Sequence, residues 1–167
     1  MSAVAQNLFI TKDAKIKFNS STPVEDIIAE SRQATTVLDI SKNIVKFSVL
    51  TTSFKFRRAL MEEHFNENYM ESGKFPKAAF AGQIVSPVDW KSDKSVIADI
   101  KGALTIHGIT NEVSFKARIT PAKGKIMASA EVKVIPESYG IQIPSAVREK
   151  IAKEVTIDIE ATYTPYQ

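Results

Sequence analysis

His64 and His107 are the only histidines of this chain, and no cysteine accompanies them. With the carboxylate of Glu62 or Glu63 the two imidazoles could be imagined as a His, His, carboxylate metal set. Zinc proteases place His-Glu-x-x-His on one helix, so that two ligands and a general base share a face, and that spacing is absent here. Two isolated histidines read instead as structural residues. His107, beside Gly108, is expected to donate to a backbone carbonyl and hold a turn; His64 is expected to cap or pack over a helix-strand corner. Nucleophilic chemistry has no better foundation, because no serine sits in Gly-x-Ser-x-Gly and no glycine-rich phosphate loop occurs. The reading is a non-enzymatic protein without metal or cofactor. One charge run, Phe54-Lys-Phe-Arg-Arg58, leaves two readings open. Lys55, Arg57 and Arg58 either solvate the surface or receive an anionic head group, since guanidinium groups bind such oxygens in pairs.

The elements that must position any site are mostly strands. Asn7 to Phe18 offers a first strand, and Thr35 to Asp39 with Ile44 to Ser53 reads as a hairpin around Ser41-Lys-Asn43. Further strand patterns run over Ala78 to Pro87, Ser95 to His107, Glu112 to Thr120, Lys125 to Ile135 and Glu154 to Tyr163. In the segment from Glu112, Val113, Phe115, Ala117 and Ile119 alternate with Ser114, Lys116 and Arg118, which is the period of a strand with one dry face. Leu104 to Val113 forms a hairpin apex in which Gly108 supplies the positive φ of a tight reversal and Asn111 closes the turn through its side chain. Thr22 to Gln33 fits a short helix or a strand equally well.

Two short helical segments interrupt this pattern. Met61, Phe65 and Tyr69 recur every four residues, predicting one or two helical turns ended by Gly73 and Pro76. Ile143, Val147 and Ile151 do the same behind Ser145 as N-cap. About eight single-faced strands joined by short turns must close on themselves or form a sandwich, and the closed barrel is favoured. The fold class is therefore all-β: an antiparallel barrel of about eight strands with one or two short helices.

Charge and composition narrow the partners. The 22 Lys+Arg and 19 Asp+Glu are interspersed singly along strands, not clustered with exposed aromatics, which argues against nucleic acid. Ala3-Val4-Ala5 has the small-x-small form of a signal-peptidase site. Residues 1–6 are read as a flexible N-terminus or leader remnant, and 7–167 as a single domain. Many inward positions are small: Ala98, Gly102, Ala117, Ala128, Ala130 and Ala161. Either they leave a hollow or nearby bulk (Phe18, Phe47, Phe80, Phe115, Trp90) fills it.

Leu104-Thr-Ile-His-Gly-Ile-Thr110, preceded by His64-Phe-Asn66 and Lys74-Phe-Pro-Lys-Ala-Ala-Phe80, resembles the YceI-like family of bacterial polyisoprenoid-binding proteins. The resemblance covers Lys15 to Tyr163. It implies a lipocalin-like barrel that holds a long apolar chain in a tunnel and is exported to the periplasm. With that implication, the tunnel wall is expected to comprise Phe47, Val49, Leu60, Met61, Phe65, Phe80, Leu104, Ile106, Phe115, Ala117, Ile119 and Ala128. The implied partner is an isoprenoid, an isoprenoid quinone or another long-chain lipid, bound for transport or storage. Transient membrane contact and a homodimer stay open. The alternative is an envelope stress or interaction protein with a filled barrel, acting through loop residues such as Tyr69, Met70, Trp90 and Tyr139.

Overall fold

The computed structural model describes residues 7–166, so Ala3-Val4-Ala5 lies outside the described residues. The strands are β1 (Leu8–Ser21), β2 (Asp26–Asp39), β3 (Ile44–Leu50), β4 (Lys55–Phe56), β5 (Lys77–Ile84), β6 (Val96–Ile106), β7 (Ile109–Ala122), β8 (Lys125–Val134) and β9 (Val155–Pro165). The helix α1 (Ala59–His64) lies between β4 and β5. All pairings are antiparallel, and they run β1-β9-β8-β7-β6-β5-β3-β2 with β2 returning to β1. This is a closed eight-stranded barrel, to which the two-residue β4 adds a short flap on β2. Closure leaves the eight wall strands with no free edge, which is how a chain of single-faced strands buries its dry side.

Register assigns residues to the two ends. At one end lie the pairs Leu8↔Asp39, Ile44↔Gln83, Val96↔Ile119 and Ile126↔Tyr163, together with the β2–β3 and β7–β8 hairpins. Here Phe9, Leu38, Ile84, Ala98, Ile119 and Ile126 are all buried and join one apolar cluster with Ile40, Val88 and Trp90. The opposite end collects the β1–β2 turn, everything from Thr51 to Pro76, the β6–β7 hairpin and residues 135 to 154. One end is thus plugged by side chains while the other is roofed by loops.

The undecided segment Thr22 to Gln33 is a turn followed by most of β2. Thr22 Oγ1 accepts from Glu25 N at 3.0 Å, closing the turn, and pairing with β1 settles what periodicity could not. Three local expectations need correction. The helical segment ends at Tyr69, ahead of Gly73: the chain turns left-handed at Glu71 (φ 47°), and Lys74 N and Phe75 N both donate back to the Glu71 carbonyl. Ser145 makes no cap; Ser145–Lys150 is a 3-10 helix preceded by Pro144 with no side-chain cap. Asn111 does not close its own hairpin, since its Nδ2 reaches the Ser138 carbonyl at 2.8 Å. The reversal at His107-Gly108 has positive φ at both residues (54° and 74°), as a two-residue hairpin turn in a twisted sheet requires.

Candidate ligand-binding cavity

The roof is built around a wide, under-wound turn. Beyond α1, Phe65–Tyr69 is π-helical, and Met70 N donates to Phe65 O at 2.8 Å. Such turns are uncommon and persist where side chains fix them. Asn66 does so: its Nδ2 donates to Glu62 O (3.1 Å) and its Oδ1 accepts from Ser72 Oγ (2.8 Å), which in turn accepts from Thr51 Oγ1 (2.8 Å). Glu62, considered above for a metal set, instead accepts from Phe56 N at 3.1 Å and ties α1 to β4. The wide turn sends Phe65, Tyr69 and Met70 toward the barrel interior.

Beneath this roof lies a cavity of about 280 Å³. No Lys, Arg, His, Asp or Glu lines it. Its wall on the β7, β8 and β9 side includes a patch of four alanines: Ala117 pairs with Ala130, and Ala128 with Ala161. The remaining wall is largely aromatic and branched aliphatic, including Phe18, Phe47, Phe80 and Phe115. Phe18, Phe54, Phe56 and Phe65 pack ring to ring under α1, with centroids 5.0 to 5.9 Å apart. Lining residues Ile27, Met61, Ile143 and Ile151 are partly exposed, so the cavity approaches solvent at the roofed end.

Of the expected tunnel residues, Phe47, Val49, Met61, Phe65, Phe80, Leu104, Ile106, Phe115, Ala117 and Ala128 line the cavity. Leu60 and Ile119 do not. Leu60 points outward from α1 and is 62% exposed, because the helix turns its Met61 and Phe65 side inward. Ile119 belongs to the plug, one inward position below Ala117 on β7. Two of the small inward residues also leave no room. Ala98 is enclosed within the plug, and at Gly102 and its partner Gly82 the Phe80 ring lies so close that an added Cβ would meet its Cζ at 2.8 and 2.4 Å. The hollow and filled readings thus each describe one part of the interior.

Lys55, Arg57 and Arg58 are exposed and none lines the cavity. Arg58 is paired with Glu25 of the β1–β2 turn. Lining residues not anticipated from sequence include Phe54 and Phe56, which alternate with those cations; the same period-two rule that gave the other dry faces would have found them. Tyr69, Met70 and Tyr139 line the cavity and do not form an exposed rim, while Trp90 Nε1 donates to Asn43 Oδ1 at 3.2 Å. Burial pushes the phenols of Tyr69 and Tyr139 up from their ordinary value.

His107 holds the roof together. Its Nδ1 donates to the Tyr139 carbonyl at 3.0 Å, and its Nε2 meets Glu71 Oε2 at 2.6 Å. Phe75 stacks edge-on against the imidazole, with centroids 4.7 Å apart. The hydrogen bond from His107, aided by Lys74, holds the Glu71 carboxyl below the usual carboxylate range. His107 thus donates to a carbonyl as expected, and that carbonyl belongs to the β8–β9 connection. His64 is exposed on α1. Among the described residues no three His, Asp or Glu side chains converge as metal ligands would.

Solved structures share this architecture at low identity. A polyisoprenoid binding domain from Saccharophagus degradans implicated in plant cell wall breakdown superposes with a TM-score of 0.81 at 12% identity, covering 97% of this chain and 100% of that one. BcnA of Burkholderia cenocepacia gives 0.76 at 13% identity, covering 90% and 96%. The YceI protein of Campylobacter jejuni gives 0.67 at 16%, covering 83% and 85%. Among curated relatives, a UPF0312 protein of Pseudomonas fluorescens is 32% identical over 74 residues, and one of Pseudomonas putida is 25% identical over 121. Those matches take in 44% and 68% of this chain and 37% and 60% of the relatives' length. The model of the YceI-like domain matches residues 5–163, and the chain therefore belongs to the YceI-like family.

Proposed function

We propose that this protein binds the apolar tail of a long-chain lipid, of the isoprenoid class, inside its barrel and does no chemistry on it. The observation that carries the reading is the cavity with no charged side chain in its lining. Apolar cavities of roughly 150 Å³ stay dry in water and take up apolar molecules, and this one is larger. Burial of a tail contributes about 0.8 kcal/mol per methylene before the entropy of association is subtracted, so a long tail needs few polar contacts. The similarity to a structure described as a polyisoprenoid binding domain supports the isoprenoid class. Transport or storage in the periplasm completes the proposal and rests on the family resemblance.

The test is mass spectrometry of an organic extract from protein purified without detergent, followed by titration of stripped protein with a prenyl alcohol. A lipid released in near-stoichiometric amount, and saturable binding of the alcohol, are expected. Lipid-free protein that binds no prenyl alcohol would sink the proposal.

A further inference from the structure

The floor of the cavity is not wholly apolar. Thr36 on β2 and Tyr163 on β9 both line it, and both are buried, at 1% and 5% exposure. Thr36 Oγ1 and Tyr163 OH are 2.8 Å apart, and either can be the donor. The next inward residues toward the plug are Leu38 beyond Thr36 and, across from Tyr163, its partner Ile126. The hydroxyl pair therefore sits where the hollow ends.

Two hydroxyls carry two protons, and the bond between them uses one. Two other buried hydroxyl relays of the barrel end on acceptors. Ser31 meets Ser53, which donates to Leu50 O at 2.6 Å. Thr51 donates to Ser72, which donates to Asn66 Oδ1. Among the described residues the Thr36–Tyr163 relay ends on none: whichever oxygen donates, one O–H remains, in a compartment without charge. An unsatisfied donor in such a place is costly, and an acceptor brought by the occupant removes the cost.

The same surroundings select the acceptor. A phosphate or carboxylate at this depth would have no cation beside it, and an unpaired buried charge is penalised far more than a hydroxyl. An uncharged carbonyl oxygen accepts the proton and brings no charge. We infer that the Thr36–Tyr163 pair is a deep polar subsite for an uncharged carbonyl oxygen carried at one end of a long apolar ligand, which enters with that end first. This rests on the tail-binding reading and goes further by fixing orientation and the chemistry of the buried end.

The experiment compares a prenylated benzoquinone with the prenyl hydrocarbon of the same tail, by displacement of a fluorescent fatty-acyl probe. It uses the wild type and the Thr36→Val/Tyr163→Phe double variant. Both hydroxyls are removed together because either alone could still donate; replacing a bonded pair by apolar groups of the same shape is close to neutral for folding. The wild type should favour the quinone about tenfold, the order expected of one neutral hydrogen bond. The double variant should bind both ligands alike. Infrared spectra of the quinone in the wild-type protein should show one carbonyl stretch lowered by hydrogen bonding. Equal wild-type affinities with no shifted carbonyl, or a preference that survives in the double variant, would overturn the subsite while leaving tail binding intact. Failure of the wild type to bind either ligand would overturn the tail-binding reading and the subsite with it.

Discussion

Glu71 and His107 meet at 2.6 Å, carboxylate oxygen to Nε2, and each does so from a left-handed backbone conformation, at φ 47° and 54°. Non-glycine residues adopt that conformation at a cost of about 1 kcal/mol each, so the surrounding contacts must hold both in place. Each neighbours a lining residue in sequence, Met70 and Ile106, and His107 also holds the carbonyl of Tyr139, a third. One imidazole thereby fixes three pieces of the cavity roof.

Acid should loosen this contact. Glu71 titrates below the ordinary carboxylate range in the folded protein, so its contribution is present above that range and is lost as the pH falls through the lowered value. Denaturation measured from neutral pH downward should show stability declining at the acid end. Glu71→Gln should flatten that decline while being less stable than wild type at neutral pH. An unchanged acid slope in the variant would remove Glu71 from the explanation.

The two histidines should respond differently to replacement. His64→Gln, on the exposed face of α1, should leave the melting temperature unchanged. His107→Gln loses two hydrogen bonds and should cost about 1–3 kcal/mol. His107→Val should cost more, because a β-branched residue resists positive φ. Equal stability of the two His107 variants would show that the backbone conformation is not a constraint.

Alanine-to-leucine substitution separates hollow from plug. Ala117→Leu and Ala128→Leu place methylenes in ligand space and should lower lipid uptake with little loss of stability. Ala98→Leu, inside the plug, should cost about 1–3 kcal/mol. Gly102→Ala would press its Cβ against the Ala81 carbonyl and Gly82 Cα of the paired strand, both at 2.4 Å, as well as the Phe80 ring, and should destabilise the protein. Uptake that is the same in Ala117→Leu as in wild type would place the ligand elsewhere.

Occupancy should be visible as stability. The lining of an unfilled apolar cavity forfeits the contacts an occupant would supply, and this cavity measures about 280 Å³. Stripped protein should melt well below the lipid-loaded form and recover on adding a prenyl alcohol. Identical melting of the two forms would contradict a ligand-filled interior.

The surface cations give a further comparison. Since Arg57 and Arg58 lie outside the cavity, the Arg57→Ala/Arg58→Ala variant should bind a prenyl phosphate and the matching alcohol with the wild-type ratio. A selective loss for the phosphate would assign them a head group.

The strands were legible because their dry faces keep a period of two, as in Val113, Phe115, Ala117 and Ile119. Where an inward residue is polar the signal fades. In β2 the inward Ser31 and Thr36 interrupt the hydropathy pattern, and their partners Ser53 and Tyr163 lie 22 and 127 residues away. The residue spacing over Met61, Phe65 and Tyr69 did indicate a helix, but winding by one extra residue is set by Asn66, Ser72 and Thr51, a tertiary contact no local pattern carries. Which alanines face open space depends on where the plug stops along the barrel axis. Ala98 and Ala117 are cross-strand partners of the same type, yet only Ala117 lines the cavity.

Tyr166 N donates to Leu8 O at 2.9 Å, and the Phe9↔Pro165 pair lies at the plugged end. Both ends of the described chain therefore leave the barrel on the side away from the cavity roof. A tether, a surface attachment or a fused domain joined at either terminus would orient the barrel with its roofed end facing outward. That polarity keeps the cavity roof clear of the point of attachment.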